Sequence, residues 1–123
     1  MSKIEVVFFS RDDGTCPLLM WLDGLPAKFQ DKCVVRIERL AELGYDLRRP
    51  EADYLRDEIY KLRTSFHSVQ YRMLYFCWDN QAVVSHGVIK KRAVPASEIN
   101  LAVKHKTLFG SDPKRCTYRE ENT

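Results

Sequence analysis

The chain has 123 residues, a net charge of +3 and 45% apolar residues. This length suits one domain, and the composition lies in the globular range, which excludes wholesale disorder. No apolar run approaches the ~18 residues that a membrane-spanning helix requires, and the N-terminus lacks the apolar core of a signal peptide. We therefore expect a soluble, cytoplasmic protein.

The cysteines are scattered. They are Cys16, Cys33, Cys77 and Cys116. No two of them form a CxxC pair, and no histidine pair stands at zinc-finger spacing. Scattered cysteines in a cytosolic domain are usually reduced and buried. The sequence therefore predicts free thiols, no metal site and no cofactor.

The N-terminal third predicts one strand and two helices. Ile4–Phe9 is β-branched and aromatic, which is typical of a strand. A short helix follows over Leu18–Leu25. A longer helix opens at Pro26 and runs to about Leu43, where Gly44 is well placed as a left-handed cap. The two helices form a predicted helical hairpin.

The rest of the chain predicts a loop, three strands and a helix. The loop covers the polar segment Asp46–Asp57. The strands are predicted at Ile59–Arg63, Val69–Trp78 and Ala82–Ile89, the last two as a hairpin. Pro95 begins a last helix that runs to about Leu108, and residues 110–123 are predicted to form a flexible polar tail.

The predicted order is β-α-α-β-β-β-α. It indicates a small single α+β domain over residues 1–109, with an antiparallel sheet of about four strands. We expect the N-terminal helical hairpin and the C-terminal helix to pack against one face of that sheet.

Positive charge is concentrated between Ile59 and Arg92. The basic residues there are Lys61, Arg63, Arg72, Lys90, Lys91 and Arg92. The only acid in the segment is Asp79. The net charge of the segment is therefore +5, which exceeds the net charge of +3 of the whole protein. Such a local field attracts polyanions, and phosphate backbones are the usual ones. A solvated strand face with spare lysines explains the charge equally well.

Strand alternation places the candidate side chains on faces. If the strands are adjacent, Arg63, Arg72, His86 and Lys90 converge near one end of the sheet. This set suits RNA cleavage, which requires deprotonation of the 2′-OH, stabilisation of the phosphorane and protonation of the 5′ oxygen. Histidine moves protons near neutral pH, arginine offers a planar fork to phosphate oxygens, and Tyr71 can stack on a base.

Each candidate also has a structural explanation. The two arginines can pair with helix carboxylates, His86 can be a satisfied structural histidine, and Tyr71 can belong to the core. The sequence Lys90-Lys91-Arg92 can be a solvated strand exit.

Six stretches carry a resemblance to a known family. They are WLDGLP at Trp21–Pro26, LRRP at Leu47–Pro50, YLRDEIYKLR at Tyr54–Arg63, YRMLYF at Tyr71–Phe76, SHGVIKK at Ser85–Lys91 and VPASEINLA at Val94–Ala102. In this order they resemble the RelE/ParE toxin superfamily, and most closely its HigB-type, phage-associated branch of type II toxin-antitoxin toxins.

The resemblance implies an activity and a set of residues. The activity is metal-independent, ribosome-dependent endoribonuclease cleavage of mRNA in the ribosomal A site, which inhibits translation. The branch's usual functional basic residues fall on Arg63, Arg72, Lys90 and Lys91. We add His86 as a catalytic candidate, and Lys61, Tyr71 and Arg92 as substrate-binding candidates.

The resemblance also implies a helix-turn-helix antitoxin encoded nearby, and no membrane partner. Lys61 departs from the branch, which often has glutamate there. The alternative function is a non-catalytic one, either a gyrase poison of the ParE type or an antitoxin-paired regulator.

Overall fold

The computed structural model describes residues 3–66, 69–90 and 92–120. Within these ranges the helices and strands are β1 (Glu5–Phe8), α1 (Pro17–Asp23), α2 (Ala27–Leu43), β2 (Ala52–Arg56), β3 (Ile59–Phe66), β4 (Val69–Trp78), β5 (Gln81–Lys90) and α3 (Ala96–Ser111). A single 3₁₀ turn, Gly44–Asp46, follows α2. No helix in the described ranges is both long enough and apolar enough to span a bilayer.

The strands form one five-stranded sheet in the order β1-β5-β4-β3-β2. Strands β2 to β5 are antiparallel to their neighbours, whereas β1 runs parallel to β5. The predicted α+β class is confirmed. The sheet is mixed rather than antiparallel because β1 pairs in parallel with β5, and it has five strands rather than about four because one further strand, β2, lies in a segment predicted to be a loop.

The predicted loop at Asp46–Asp57 contains strand β2, so that part of the prediction was wrong. β2 is a short edge strand, and an edge strand tolerates charged residues because one side of it faces solvent. Its Ala52 is buried, whereas Asp53 pairs across the strands with Lys61 on β3.

The helices cover both faces of the sheet, which corrects the expectation that they share one face. Alternation along β4 explains this arrangement, because successive side chains point to opposite sides. Met73 and Tyr75 pack in the core with residues of α1 and α2. Leu74 and Phe76 pack in a second core with residues of α3.

The helix ends follow the sequence. Pro26 is the N-cap of α2, and Gly44 closes it with φ of 54° and ψ of −124°, a positive-φ conformation that glycine adopts without strain. α3 runs three residues beyond its predicted end. The predicted flexibility of residues 110–123 stays a prediction, although Cys116 is buried and the backbone N–H of Tyr118 donates to the carbonyl of Phe8 at 2.8 Å.

Candidate functional site

Three neighbouring strands bring the predicted basic residues together. Arg63 on β3 lies directly opposite Arg72 on β4, and Arg72 lies opposite Val88 on β5. Directly paired residues of antiparallel strands share a face. Lys61 and Lys90 lie two residues from Arg63 and Val88 respectively, so they share this face as well. We call Lys61, Arg63, Arg72 and Lys90 the basic face.

Like charges at the basic face are close enough to perturb one another. Burial and the neighbouring charges of Arg72 and Arg63 lower the pKa of Lys61. Burial and the charge of Arg63 lower the pKa of Arg72. Asp53 acts in the opposite direction on Lys61, but its own carboxylate is paired with Arg49 at 3.0 Å. The charge of this surface is therefore incompletely neutralised, and a bound polyanion would relieve the repulsion.

Arg72 is a buried charge that braces the chain leaving β5. Its residue is only 5% exposed, and its Nη1 donates to the carbonyls of Arg92 at 2.6 Å and Lys90 at 3.3 Å. Its buried Nε has no hydrogen-bond partner in the described ranges, and Arg72 forms no ion pair there. The guanidinium thus fixes the chain leaving β5 through Nη1, and no hydrogen bond of Nη2 or Nε is seen among the described residues.

The remaining basic candidates lie at the end of β5. Lys90 and Arg92 are exposed, and the carbonyls of both accept from Arg72. Lys91 lies outside the described residues. Arg63 is half-buried.

Tyr71 does not join the basic face. It lies on the opposite side of the sheet, is 7% exposed and stacks on Phe29 of α2 with ring centroids 4.9 Å apart. A ring held this way packs in the core and is not placed to stack on a base.

His86 lies beneath α3 in a chain of buried polar groups. It is opposite Leu74, and its Nε2 lies 2.9 Å from Oε1 of Glu98. Its Nδ1 lies 2.8 Å from Oγ of Ser85, which also lies 2.7 Å from Nδ1 of His105. Burial lowers the pKa of His86, although the Glu98 carboxylate opposes the change. The sequence predicted His86 here but not its three partners.

A β-bulge explains why strand alternation failed to find Ser85. Strict alternation puts Ser85 and His86 on opposite faces. The register shifts between Leu74 and Tyr75 of β4, which leaves Ser85 as an extra residue of β5. Its hydroxyl therefore reaches His105 on α3, on the same side of the sheet as His86. In the sequence, Glu98 stands only as an acid in the first turn of the last helix, with no pattern that joins it to His86.

The described part of the chain contains no group of three or more His, Cys, Asp or Glu side chains placed to hold a metal ion. The four cysteines are free, and burial raises the pKa of the Cys33 thiol to about 11.

A family model described as "Phage derived protein Gp49-like (DUF891)" matches residues 20–107, which are 88 of the 123 residues. The chain belongs to this family. The Gp49-like family is a type II toxin family related to RelE-like toxins, so its members are phage-associated toxins that have an antitoxin partner. The match includes the basic face, His86, Glu98 and His105. No curated protein matches the chain.

Proposed function

We propose that this Gp49-like toxin is a ribosome-dependent mRNA endoribonuclease of the HigB type, which inhibits translation by cutting mRNA in the ribosomal A site. The observation that supports the proposal is the basic face. Arg63 and Arg72 lie directly opposite each other on adjacent strands, and Lys61 beside them has a lowered pKa. An RNA phosphodiester would supply a negatively charged partner for these basic side chains.

The basic face would bind the scissile phosphate. The free part of the Arg72 fork and the guanidinium of Arg63 would hold the non-bridging oxygens. Lys90 and Lys91 would stabilise the charge that develops as the 2′ oxygen attacks phosphorus, and Arg92 would contact a neighbouring phosphate. The products would be a 2′,3′-cyclic phosphate and a free 5′-OH.

Glu98 and His86 would move the first proton together. His86 is 6% exposed, whereas the side chain of Glu98, which is hydrogen-bonded to Nε2 of His86, is 33% exposed. Substrate therefore meets the carboxylate first. Glu98 would accept the 2′-OH proton with His86 behind it, and the Lys61 ammonium, whose pKa is lowered, would protonate the leaving 5′ oxygen.

The proposed partners are mRNA, the ribosome and a helix-turn-helix antitoxin encoded nearby, and the proposed location is the cytoplasm. Primer extension on mRNA in a translating cell-free extract tests the activity. We expect new mRNA ends with cyclic phosphates from the unaltered chain and from the control Lys114→Gln, which changes an exposed lysine outside the basic face. Arg63→Gln should abolish most of the cleavage. Intact mRNA at stoichiometric toxin would contradict the proposal, and double-strand DNA breaks with purified gyrase would favour a ParE-type poison.

Arg72→Lys separates the arginine fork from its charge. Lysine keeps the charge but not the planar fork, so we expect the single-turnover cleavage barrier on ribosomes to rise by roughly 2–4 kcal/mol, as for other oxyanion donors. The lost carbonyl contacts should also lower the free energy of unfolding by about 1 kcal/mol. Lys91→Arg should be tolerated, because only charge is required of it. Equal, small rate losses in both variants would indicate a generic polyanion surface.

A further inference from the structure

Four side chains form one continuous hydrogen-bonded chain that leads from the partly exposed Glu98 into the protein. It runs from Glu98 through His86 and Ser85 to His105, with heavy-atom distances of 2.9, 2.8 and 2.7 Å. Ser85 is fully buried, so its hydroxyl cannot reach a substrate and is not a nucleophile. Its position between two imidazoles gives it a different role.

The single proton of the Ser85 hydroxyl gives the chain a direction. A hydroxyl donates to one imidazole only and must accept from the other. An ionised Glu98 accepts from Nε2–H of His86, so Nδ1 of His86 accepts from Ser85. Nδ1–H of His105 must then donate to Ser85, which leaves a lone pair on Nε2 of His105. When Glu98 is protonated, every donor in the chain reverses.

His105 ends the chain at a second surface. Its residue is 4% exposed, and its ring stacks on Phe9 with centroids 4.0 Å apart. It lines a cavity of about 550 Å³ between α3, the end of β1 and the C-terminal segment. Its Nε2 has no hydrogen-bond partner among the described residues.

Burial and the charges around His105 keep it neutral. Burial, His86 on β5, Arg11 after β1 and Lys104 on α3 lower its pKa to about 4. At neutral pH it therefore has two tautomers available and no charged form. The tautomer that His105 adopts is linked to the direction of the hydrogen bonds in the series from Glu98 to His105.

We propose that Ser85 and His105 are positioning residues for the His86–Glu98 pair, because they couple the tautomer of His105 to the protonation of Glu98. The functional part of this inference rests on the proposed function. When His105 donates from Nδ1, the chain favours an ionised Glu98, the form that accepts the 2′-OH proton. The coupling acts in both directions.

Nitrogen-15 NMR of the imidazoles in the full chain at pH 7 tests the coupling without RNA. We expect His105 to be protonated at Nδ1. Glu98→Ala should shift its nitrogens towards a tautomer mixture, although Glu98 does not contact His105, and Glu42→Ala at an exposed site on α2 should not. In a Ser85→Ala background the Glu98 substitution should lose its effect. Unchanged His105 nitrogens in Glu98→Ala would overturn the proposal.

The pH profile of single-turnover mRNA cleavage tests the functional part. His105→Phe keeps a ring to stack on Phe9 but removes both nitrogens. Ser85 can then accept from Nδ1–H of His86, which favours a protonated Glu98. We expect the reaction at neutral pH to be roughly tenfold slower, which is less than the full contribution of a general base. The acidic limb of the pH–rate profile should move to higher pH.

His105→Asn, whose amide nitrogen can replace Nδ1–H, should restore the profile. An unchanged profile in His105→Phe would contradict the positioning role. If the unaltered chain does not cleave mRNA, the proposed function fails, and the NMR result still decides the coupling.

Discussion

Gly87 and Trp21 lie in van der Waals contact and join two of the sequence stretches that carry the family resemblance. An ideal Cβ built on Gly87 would lie 2.0 Å from a ring carbon of Trp21 in α1. Only a glycine permits the indole to lie this close to β5. Gly87 stands between His86 and Val88, so this contact holds the strand where it presents the buried histidine.

Gly87→Ala should therefore destabilise the fold. The added methyl group overlaps a rigid ring packed against the core, and overpacking of this kind costs roughly 1–3 kcal/mol. Gly24→Ala is the matched control, because its Cβ would meet the carbonyl oxygen of Trp21 at an ordinary 3.5 Å. Urea unfolding measures both variants. Equal midpoints for the two would show that Trp21 moves aside without cost.

The residues of the candidate site differ in how far the sequence predicts them. Arg63, Arg72 and Lys90 could be placed on one face because a regular antiparallel pleat preserves side-chain alternation. Ser85 could not, because a bulge has no clear pattern in a single sequence. Glu98 and His105 could not be joined to His86, because that contact depends on how α3 docks on the sheet.

The hairpin of β2 and β3 shows that the local sequence can also fail to predict a whole strand. Its loop has two residues, Asp57 and Glu58, with φ of 52° and 64°, which is the conformation of a type I′ turn. The usual sequence for this turn is Asn-Gly, and Asp-Glu does not resemble it. The turn lies against α3, where Nζ of Lys106 is 3.3 Å from Oε1 of Glu58 and donates to the carbonyl of Asp57 at 3.4 Å. Local sequence therefore predicted a loop here.

Two substitutions of Glu58 measure the backbone strain of this turn. Glu58→Gly and Glu58→Val both remove the carboxylate that pairs with Lys106, so the ion pair cancels in the comparison. Glycine adopts positive φ freely, whereas a β-branched residue does so at a cost. We expect the valine variant to unfold more easily than the glycine variant by roughly 1 kcal/mol in denaturant titrations. Equal stability would mean that the turn relaxes to another type.

At the scale of the whole molecule, the placement of α3 separates a covered half of the sheet from an open half. α3 packs on Leu74, Phe76 and Val83, and it buries His86 with its partners. The basic face lies beyond the N-terminal end of α3, on the same side of the sheet. The fold thus places a charged surface beside a mostly buried series of hydrogen-bonded titratable groups, so the stability of the fold should depend on pH.

Stability should fall as the pH drops from about 6.5 to about 4. In the folded state the pKa of His105 is lowered to about 4 and that of His86 is lowered as well, chiefly by burial, whereas unfolded histidine titrates near 6.5. The unfolded chain therefore binds more protons in this window, so the free energy of unfolding rises with pH. The contribution is complete above about pH 6.5 and is lost towards pH 4, and for His105 it amounts to roughly 3 kcal/mol.

His105→Phe should flatten this dependence, because phenylalanine does not titrate and keeps the ring on Phe9. Urea unfolding at pH 7.5, 6, 5 and 4 measures the slope for the unaltered chain, for His105→Phe and for the exposed control Lys114→Gln, a lysine that does not act on the pKa of His105. Carboxylates whose pKa is lowered, such as Glu51 beside Arg39, should contribute equally to the slope in all three proteins. A slope in His105→Phe as steep as in the unaltered chain would mean that groups other than this buried imidazole cause the loss of stability in acid.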